Sequence, residues 1–124
     1  TMLELAGVEI PGIYQGASLV PFLRSTPPGW REDFFTEHHS SNKLLPQWWG
    51  VHDKRYTYAR YFEETPVHER LHDLEEDPDQ LRNLADDPAH AALLERMRAR
   101  TDDYLKRYSR PEIKALKAAS MEKR

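Results

Sequence analysis

The chain has no cysteine among its 124 residues. That one absence excludes disulfides, thiolate metal sites and a cysteine nucleophile. It leaves the compartment open, because many exported proteins also lack cysteine. No apolar run approaches the ~18 residues that a membrane-spanning helix needs, so no membrane span is expected. The N-terminus lacks a basic region followed by an apolar core, so no signal peptide is expected there. An excess of positive charge is missing too: 18 Lys plus Arg stand against 21 Asp plus Glu, a net charge of −3. A nucleic-acid partner is therefore not expected, since such surfaces are built on clustered basic residues. What is present, 39% hydrophobic and 31% charged residues, is the balance of one globular domain with a modest core.

Along the chain, Met2-Leu3-Glu4-Leu5-Ala6 reads as the last turns of a helix closed by Gly7, because glycine readily takes the left-handed conformation at a helix C-terminus. A start inside an apolar run reads as the cut end of something longer. Residues 8–11 read as an extended exit, 12–16 as a turn, and 18–23 as one helical turn interrupted by Pro21. Ser25-Thr26-Pro27-Pro28-Gly29 is a loop by composition.

Strand signals follow. Phe34-Phe35-Thr36-Glu37-His38 and Trp48-Trp49-Gly50-Val51-His52 read as the first two, and Asp53-Lys54 falls where a tight hairpin turn belongs. The clearest strand is Arg55-Tyr56-Thr57-Tyr58-Ala59-Arg60-Tyr61-Phe62. It sets Tyr56, Tyr58, Arg60 and Phe62 on one face and Thr57, Ala59 and Tyr61 on the other. Glu63-Glu64-Thr65-Pro66 turns the chain into a fourth strand over residues 69–74. Four sequential strands with short links predict an antiparallel meander.

Helix signals then take over. Asp77 with Pro78 and Gln80 has the pattern of a capped start, predicting a brief helix that ends near Ala85. Asp87-Pro88 repeats the start signal. From there Leu94, Met97, Thr101, Tyr104, Leu105 and Tyr108 recur at three- and four-residue spacing as one stripe of a longer helix, with Leu94, Met97 and Tyr104 as core. Pro111 stops it, and the polar residues beyond predict either a further helix or a frayed tail.

The order of these segments resembles the C-terminal region of the formylglycine-dependent sulfatases, the arylsulfatase and N-sulfoglucosamine sulfohydrolase-like family. Leu5-Ala6-Gly7 with Gln15-Gly16-Ala17-Ser18-Leu19 is similar to the passage that closes that family's catalytic domain. Gly50-Val51 through Tyr61, and Leu71-His72-Asp73-Leu74 with Asp77-Pro78 and Asn83-Leu84-Ala85, resemble motifs of its C-terminal subdomain. His52, Thr57 and His72 depart from the family's usual arginine, lysine and tyrosine. The resemblance implies an α+β fold, a small four-stranded antiparallel sheet packed by a long C-terminal helix. It also implies a division into residues 1–30, the tail end of a catalytic α/β domain with its linker, residues 31–110, the C-terminal subdomain, and residues 111–124, a polar tail.

The function so implied is that of a sulfatase (sulfuric ester hydrolase) subdomain that completes a substrate cleft without being catalytic alone. Its expected partners are the missing catalytic domain and a sulfated carbohydrate such as a glycosaminoglycan. In the family the cofactors are calcium and a formylglycine made from Cys or Ser in a Cys/Ser-x-Pro-x-Arg motif. Neither is expected in this chain, because Ser25-Thr26-Pro27-Pro28-Gly29 lacks the arginine and lies in the wrong part of the order. Members of the family are often secreted, periplasmic or lysosomal. The competing reading is a stand-alone α+β module that binds a carbohydrate or protein.

Glu37, His38 and His39 are the expected substrate contacts, since in such sulfatases residues just after this strand approach the sugar. Trp48 joins them, because a flat apolar ring suits a sugar face. Against this stands the plain reading of edge-strand residues and sheet anchors. No metal site is expected, although His52 and His72 beside Asp53 and Asp73 form a conceivable one if they meet across the sheet. Lys54, Arg55 and Arg60 read as solvated edges that would also suit a sulfated glycan. Leu3, Leu5, Val8, Leu19 and Phe22 are expected to leave an apolar patch prone to self-association.

Overall fold

In the computed structural model the described residues are 1–12, 14, 16–39, 44 and 46–108. The expected tail at 111–124 and most of the loop at 40–45 lie outside them. The chain forms two compact units, Thr1–Arg31 and Glu32–Arg124.

The first unit opens with α1, Met2–Leu5. Gly7 adopts φ 68°, and the N–H groups of Gly7 and Val8 return to the carbonyls of Glu4 and Leu3. That is the Schellman closure which a left-handed glycine permits. A 3₁₀ turn at Val20–Leu23 accommodates Pro21 in its first turn, so proline starts this element instead of interrupting it. No described residue of this unit is buried. Leu5, Val8, Leu19 and Phe22 are exposed, while Leu3 is half-buried.

The second unit is the α+β core: β1 Asp33–His38, β2 Trp48–Asp53, β3 Tyr56–Tyr61, β4 His68–Asp73 and α2 Ala91–Tyr108. The strands form one antiparallel sheet in the order β1-β2-β3-β4. Asp53 fixes the β2–β3 turn, its Oδ1 accepting the N–H groups of Arg55 (2.8 Å) and Tyr56 (2.6 Å). Register places Phe35, Val51, Tyr58 and Leu71 in one row. This row packs against Leu94, Met97 and Tyr104 of α2 and against Leu84. The helix stripe thus lands where its spacing put it. Gly50 is obligatory in β2: a Cβ there would lie 1.9 Å from the Tyr58 carbonyl oxygen.

The brief helix expected after Asp77 does not form. Instead of capping a helix, the Asp77 carboxylate accepts the N–H groups of Leu81 (3.0 Å) and Arg82 (2.8 Å), and Gln80 sits at φ 55°. The same residue types serve helix caps and side-chain-closed turns. Here the turn prevails because Asn83 ties the segment to the free edge of β4. Its Oδ1 accepts from the N–H of Leu71 (2.9 Å) and of Ala85 (3.1 Å), and its Nδ2 donates to the Glu69 carbonyl (2.9 Å). The Leu84 N–H then bonds the Leu71 carbonyl at 2.8 Å, and Leu84 enters the core. Asp87 does cap as expected: its carboxylate accepts the Ala89 N–H, and a 3₁₀ turn at Pro88–His90 leads into α2. Among the described residues no helix is long and apolar enough to cross a membrane.

Candidate functional site

Alternation along a strand decides where each candidate points. The register rows Asp33–Asp53, Tyr56–Asp73, Phe35–Val51–Tyr58–Leu71 and Glu37–Trp49–Arg60–Glu69 face α2. The rows Phe34–His52–Thr57–His72 and Thr36–Gly50–Ala59–Arg70, with His38–Trp48 and Tyr61–His68, face the other way. The four expected contacts therefore gather at one end of the sheet but split between its faces. Glu37 and His39 lie on the helix side, His38 and Trp48 on the opposite side.

On the helix side a polar network surrounds His39. The Gln47 Nε2 donates to Glu63 Oε1 at 2.8 Å, and the Gln47 N–H donates to Glu63 Oε2 at 3.2 Å. This turns the Gln47 carbonyl oxygen toward His39 Nδ1, 2.9 Å away, so that Nδ1 carries the proton of that bond. His39 Nε2 then has two neighbours, the Trp49 indole N–H at 3.4 Å and Glu37 Oε2 at 3.3 Å. A neutral ring accepts from Trp49, whereas a protonated ring donates to Glu37. Trp49 stacks on Phe62 with centroids 3.8 Å apart, which stiffens this end. Sequence reading missed Gln47 and Glu63; their positions flanking paired strands are the only signal that marks them.

On the opposite side His38 stacks on Trp48 (6.4 Å), Trp48 meets Tyr61 (6.5 Å), and Tyr61 meets His68 (5.5 Å). A row of rings crosses all four strands.

His52 and His72 do not meet. Each pairs with Thr57, so β3 lies between them. His52 packs on Phe34, and buried His72 faces the Arg82 carbonyl oxygen at 3.0 Å. Among the described residues no group of three or more His, Cys, Asp or Glu is placed to hold a metal ion. The described residues therefore do not by themselves fit the calcium that the resemblance implies for the family.

Nor are Arg55 and Arg60 solvated edges. Arg55 makes a bidentate pair with buried Asp73 (2.7 and 3.0 Å), whose carboxylate also accepts the N–H groups of Glu75 and Glu76. Hydrogen bonds from Arg55 hold the Asp73 carboxyl below its ordinary range. Arg60 donates to Asp102 of α2 at 2.9 Å and to the Tyr58 hydroxyl at 3.1 Å. The Tyr58 hydroxyl in turn donates to Glu69, which Arg98 of α2 also grips. Burial, with the bond to Glu69, pushes the Tyr58 phenol up to about 12. Arg98 holds Glu69 below the usual carboxylate range. The Asp-Leu and Asn-Leu-Ala motifs are thus braces of the fold.

A four-stranded meander with one long helix and a β4 edge zipped by an Asn-Leu-Ala segment defines a sulfatase-type C-terminal subdomain. The family model for "N-sulphoglucosamine sulphohydrolase, C-terminal" matches residues 1–107, and the chain belongs to that family. It is 34% identical over 119 residues to a Delta 4,5-hexuronate-2-O-sulfatase of Bacteroides thetaiotaomicron, covering 94% of this chain and 24% of that protein. It is 33% identical over 96 residues to arylsulfatase K of Xenopus laevis, covering 68% and 17%. The solved structure of BT1596, a 2-O GAG sulfatase, superposes with a TM-score of 0.75 at 34% identity over 86% of this chain and 23% of that one. The chain thus spans about a quarter or less of the length of these relatives.

Proposed function

We propose that this chain is the C-terminal subdomain of a sulfuric ester hydrolase and that the sheet end carrying Glu37, His38, His39 and Trp48 completes its substrate cleft. The supporting observation is convergence: four residues named from sequence, on two strands and the link after β1, lie at one end of one sheet. The names of the relatives, a hexuronate-2-O-sulfatase and a GAG sulfatase, support a sulfated glycan as the substrate class.

In this reading the larger domain carries the calcium and the formylglycine, which supply charge neutralisation and the nucleophile. Residues 1–30 are the last part of that domain, and 31–110 the subdomain leaning on it. This chain's own groups bind and orient. The Glu37 carboxylate accepts from sugar hydroxyls, His39 accepts a hydrogen bond from the Trp49 indole beside it, and the Trp48 ring lies against a sugar face.

The test is kinetic, in the longer polypeptide. Glu37→Gln and His39→Gln should each raise KM about tenfold with kcat within about twofold, the pattern of lost binding that is equal in ground and transition states. An unchanged KM for both variants refutes the contact. Turnover of a sulfated sugar by the 124-residue chain alone refutes the division of labour.

A further inference from the structure

The five carboxylates of the strands, Asp33, Glu37, Asp53, Glu69 and Asp73, all lie on the face covered by α2. The four strand histidines, His38, His52, His68 and His72, all lie on the other. The reason for the first half is electrostatic. Arg98 and Arg100 of α2 bind Glu69 and Asp33, and Arg96 approaches Asp53 to 3.9 Å. That demand leaves the second face free of strand carboxylates; the nearest acid to its histidines is Asp77 of the turn after β4, 4.0 Å from His72 Nδ1. This face bears Phe34, Trp48, Tyr61, the histidines and one arginine, Arg70.

Solvated sheet faces are ordinarily polar and mixed in charge; this one is aromatic, and the charge its strands carry is one arginine. Arg60 is committed to Asp102 and the Glu69–Tyr58 pair, whereas Arg70 has no carboxylate partner among the described residues. Its guanidinium lies 5.6 Å from the Tyr61 ring centroid, and its Nε is 3.4 Å from His68 Nε2. The row Thr36–Gly50–Ala59 beside it is made of small residues, so a trough runs between the ring row and the Phe34–His52–Thr57–His72 row. At the β4 side the trough deepens into a cavity of about 220 Å³ lined by Trp48, Thr57, Ala59, Tyr61, Arg70 and Gln80.

We infer that this trough binds a pyranose unit carrying one anionic group, sulfate or carboxylate. Each part of the ligand has its counterpart. The Trp48 and Tyr61 rings offer a flat apolar wall to a sugar ring. Arg70 offers a planar fork of donors to one oxyanion. Thr57 and Gln80 offer hydroxyl and amide partners to ring hydroxyls. A single guanidinium with no lysine is too little for a nucleic-acid backbone, which needs several cations in series. A protein partner would suit the residue types too, but a concavity sized for one ring favours the sugar. The site shares Trp48 with the proposed cleft but makes no use of Glu37 or His39, which face α2, and stands whether or not those two touch a substrate.

The 124-residue chain, ¹⁵N-labelled, is titrated by NMR with glucosamine 2-N-sulfate, glucuronate and unmodified glucosamine. Saturable shifts of the Trp48 indole and Arg70 Nε signals with either anionic sugar are expected, at least about tenfold weaker in Arg70→Gln and in Tyr61→Leu. Asp103→Asn, on the exposed side of α2, should leave them unchanged. The two anionic probes tell sulfate from uronate. Equal response to glucosamine overturns the role of Arg70. Shifts confined to Glu37, His39 and Trp49 overturn the trough while leaving the proposed cleft contact standing. Concentration-dependent shifts of the same signals without any sugar mark the face as a protein interface and also overturn it.

Discussion

Tyr58 offers the sharpest test of how the sheet is fastened to its helix. Its ring is 1% exposed and fills the core row, so Tyr58→Phe leaves no cavity and removes only the hydroxyl. That hydroxyl donates to Glu69 and accepts from Arg60 Nε at 3.1 Å. After the substitution Glu69 still holds Arg98, and Arg60 still holds Asp102. No buried group is orphaned, and the loss is that of one hydrogen bond to a charged group, about 1.5–2 kcal/mol. In a unit of this size that lowers Tm by about 6–16 °C.

Glu69→Gln removes more. The Glu69 side chain is 13% exposed and that of Arg98 is 35% exposed. Breaking a fully buried pair costs about 3–5 kcal/mol, so a half-solvated arginine partner brings the expected loss to about 2–3 kcal/mol. The two substitutions share one bond. The double variant should therefore lose about 1 kcal/mol less than the sum of the singles. Urea denaturation followed by tryptophan fluorescence at pH 7 measures all three. Losses that add to within about 0.3 kcal/mol would show that the hydroxyl and carboxylate do not act as a pair.

Three further outcomes follow from the same structure. Asn83→Ala removes three hydrogen bonds, two that hold the segment to the β4 edge and one that shapes the segment itself; it should cost about 2–3 kcal/mol at about 1 kcal/mol each, and amide exchange at Leu71 should rise, or the zipped edge is not a brace. Asp33, Glu69, Asp73, Asp77 and Asp87 are all held below ordinary carboxylate values by donors to their oxygens. Their stabilisation is therefore complete above the unfolded values of about 4 and drains away as pH falls through the lower folded ones; a Tm constant from pH 7 to pH 3 would contradict this. The exposed Leu5, Val8, Leu19 and Phe22 are expected to drive self-association in light scattering, and Leu5→Ser with Phe22→Ser should abolish it.

The fold was legible in the sequence wherever one periodicity held without competition. Tyr56 to Tyr61 alternates, and its faces came out as the alternation required. The stripe Leu94, Met97, Thr101 and Tyr104 recurs at helical spacing and is buried as one seam. The segment after Asp77 misled because Asp, Pro and Gln at these spacings carry two meanings. What chose between them was a bond from Asn83 to a strand twelve residues away in sequence, and no local pattern contains that. Asp73 and Arg55 are a similar case, eighteen residues apart and joined only once the strands pair.

The candidate site was legible as a place but not as an arrangement, and register is the reason. Glu37 and His38 are neighbours in sequence and so must diverge in a strand; which of them faces the helix depends on where Val51 and Tyr58 bury. Once that is fixed, every strand carboxylate goes with Glu37 toward the arginines of α2, and every strand histidine goes with His38 away from them. A one-residue slip would bring His72 and Arg70 against the cationic helix and leave Asp33 and Glu69 in solvent, so the charge pattern and the apolar pattern demand the same register. That no strand carboxylate lies on this face is therefore a consequence of how the sheet is held to its helix. What the sequence adds freely on that face, beyond any need of the fold, is a ring row and one arginine with no carboxylate partner among the described residues.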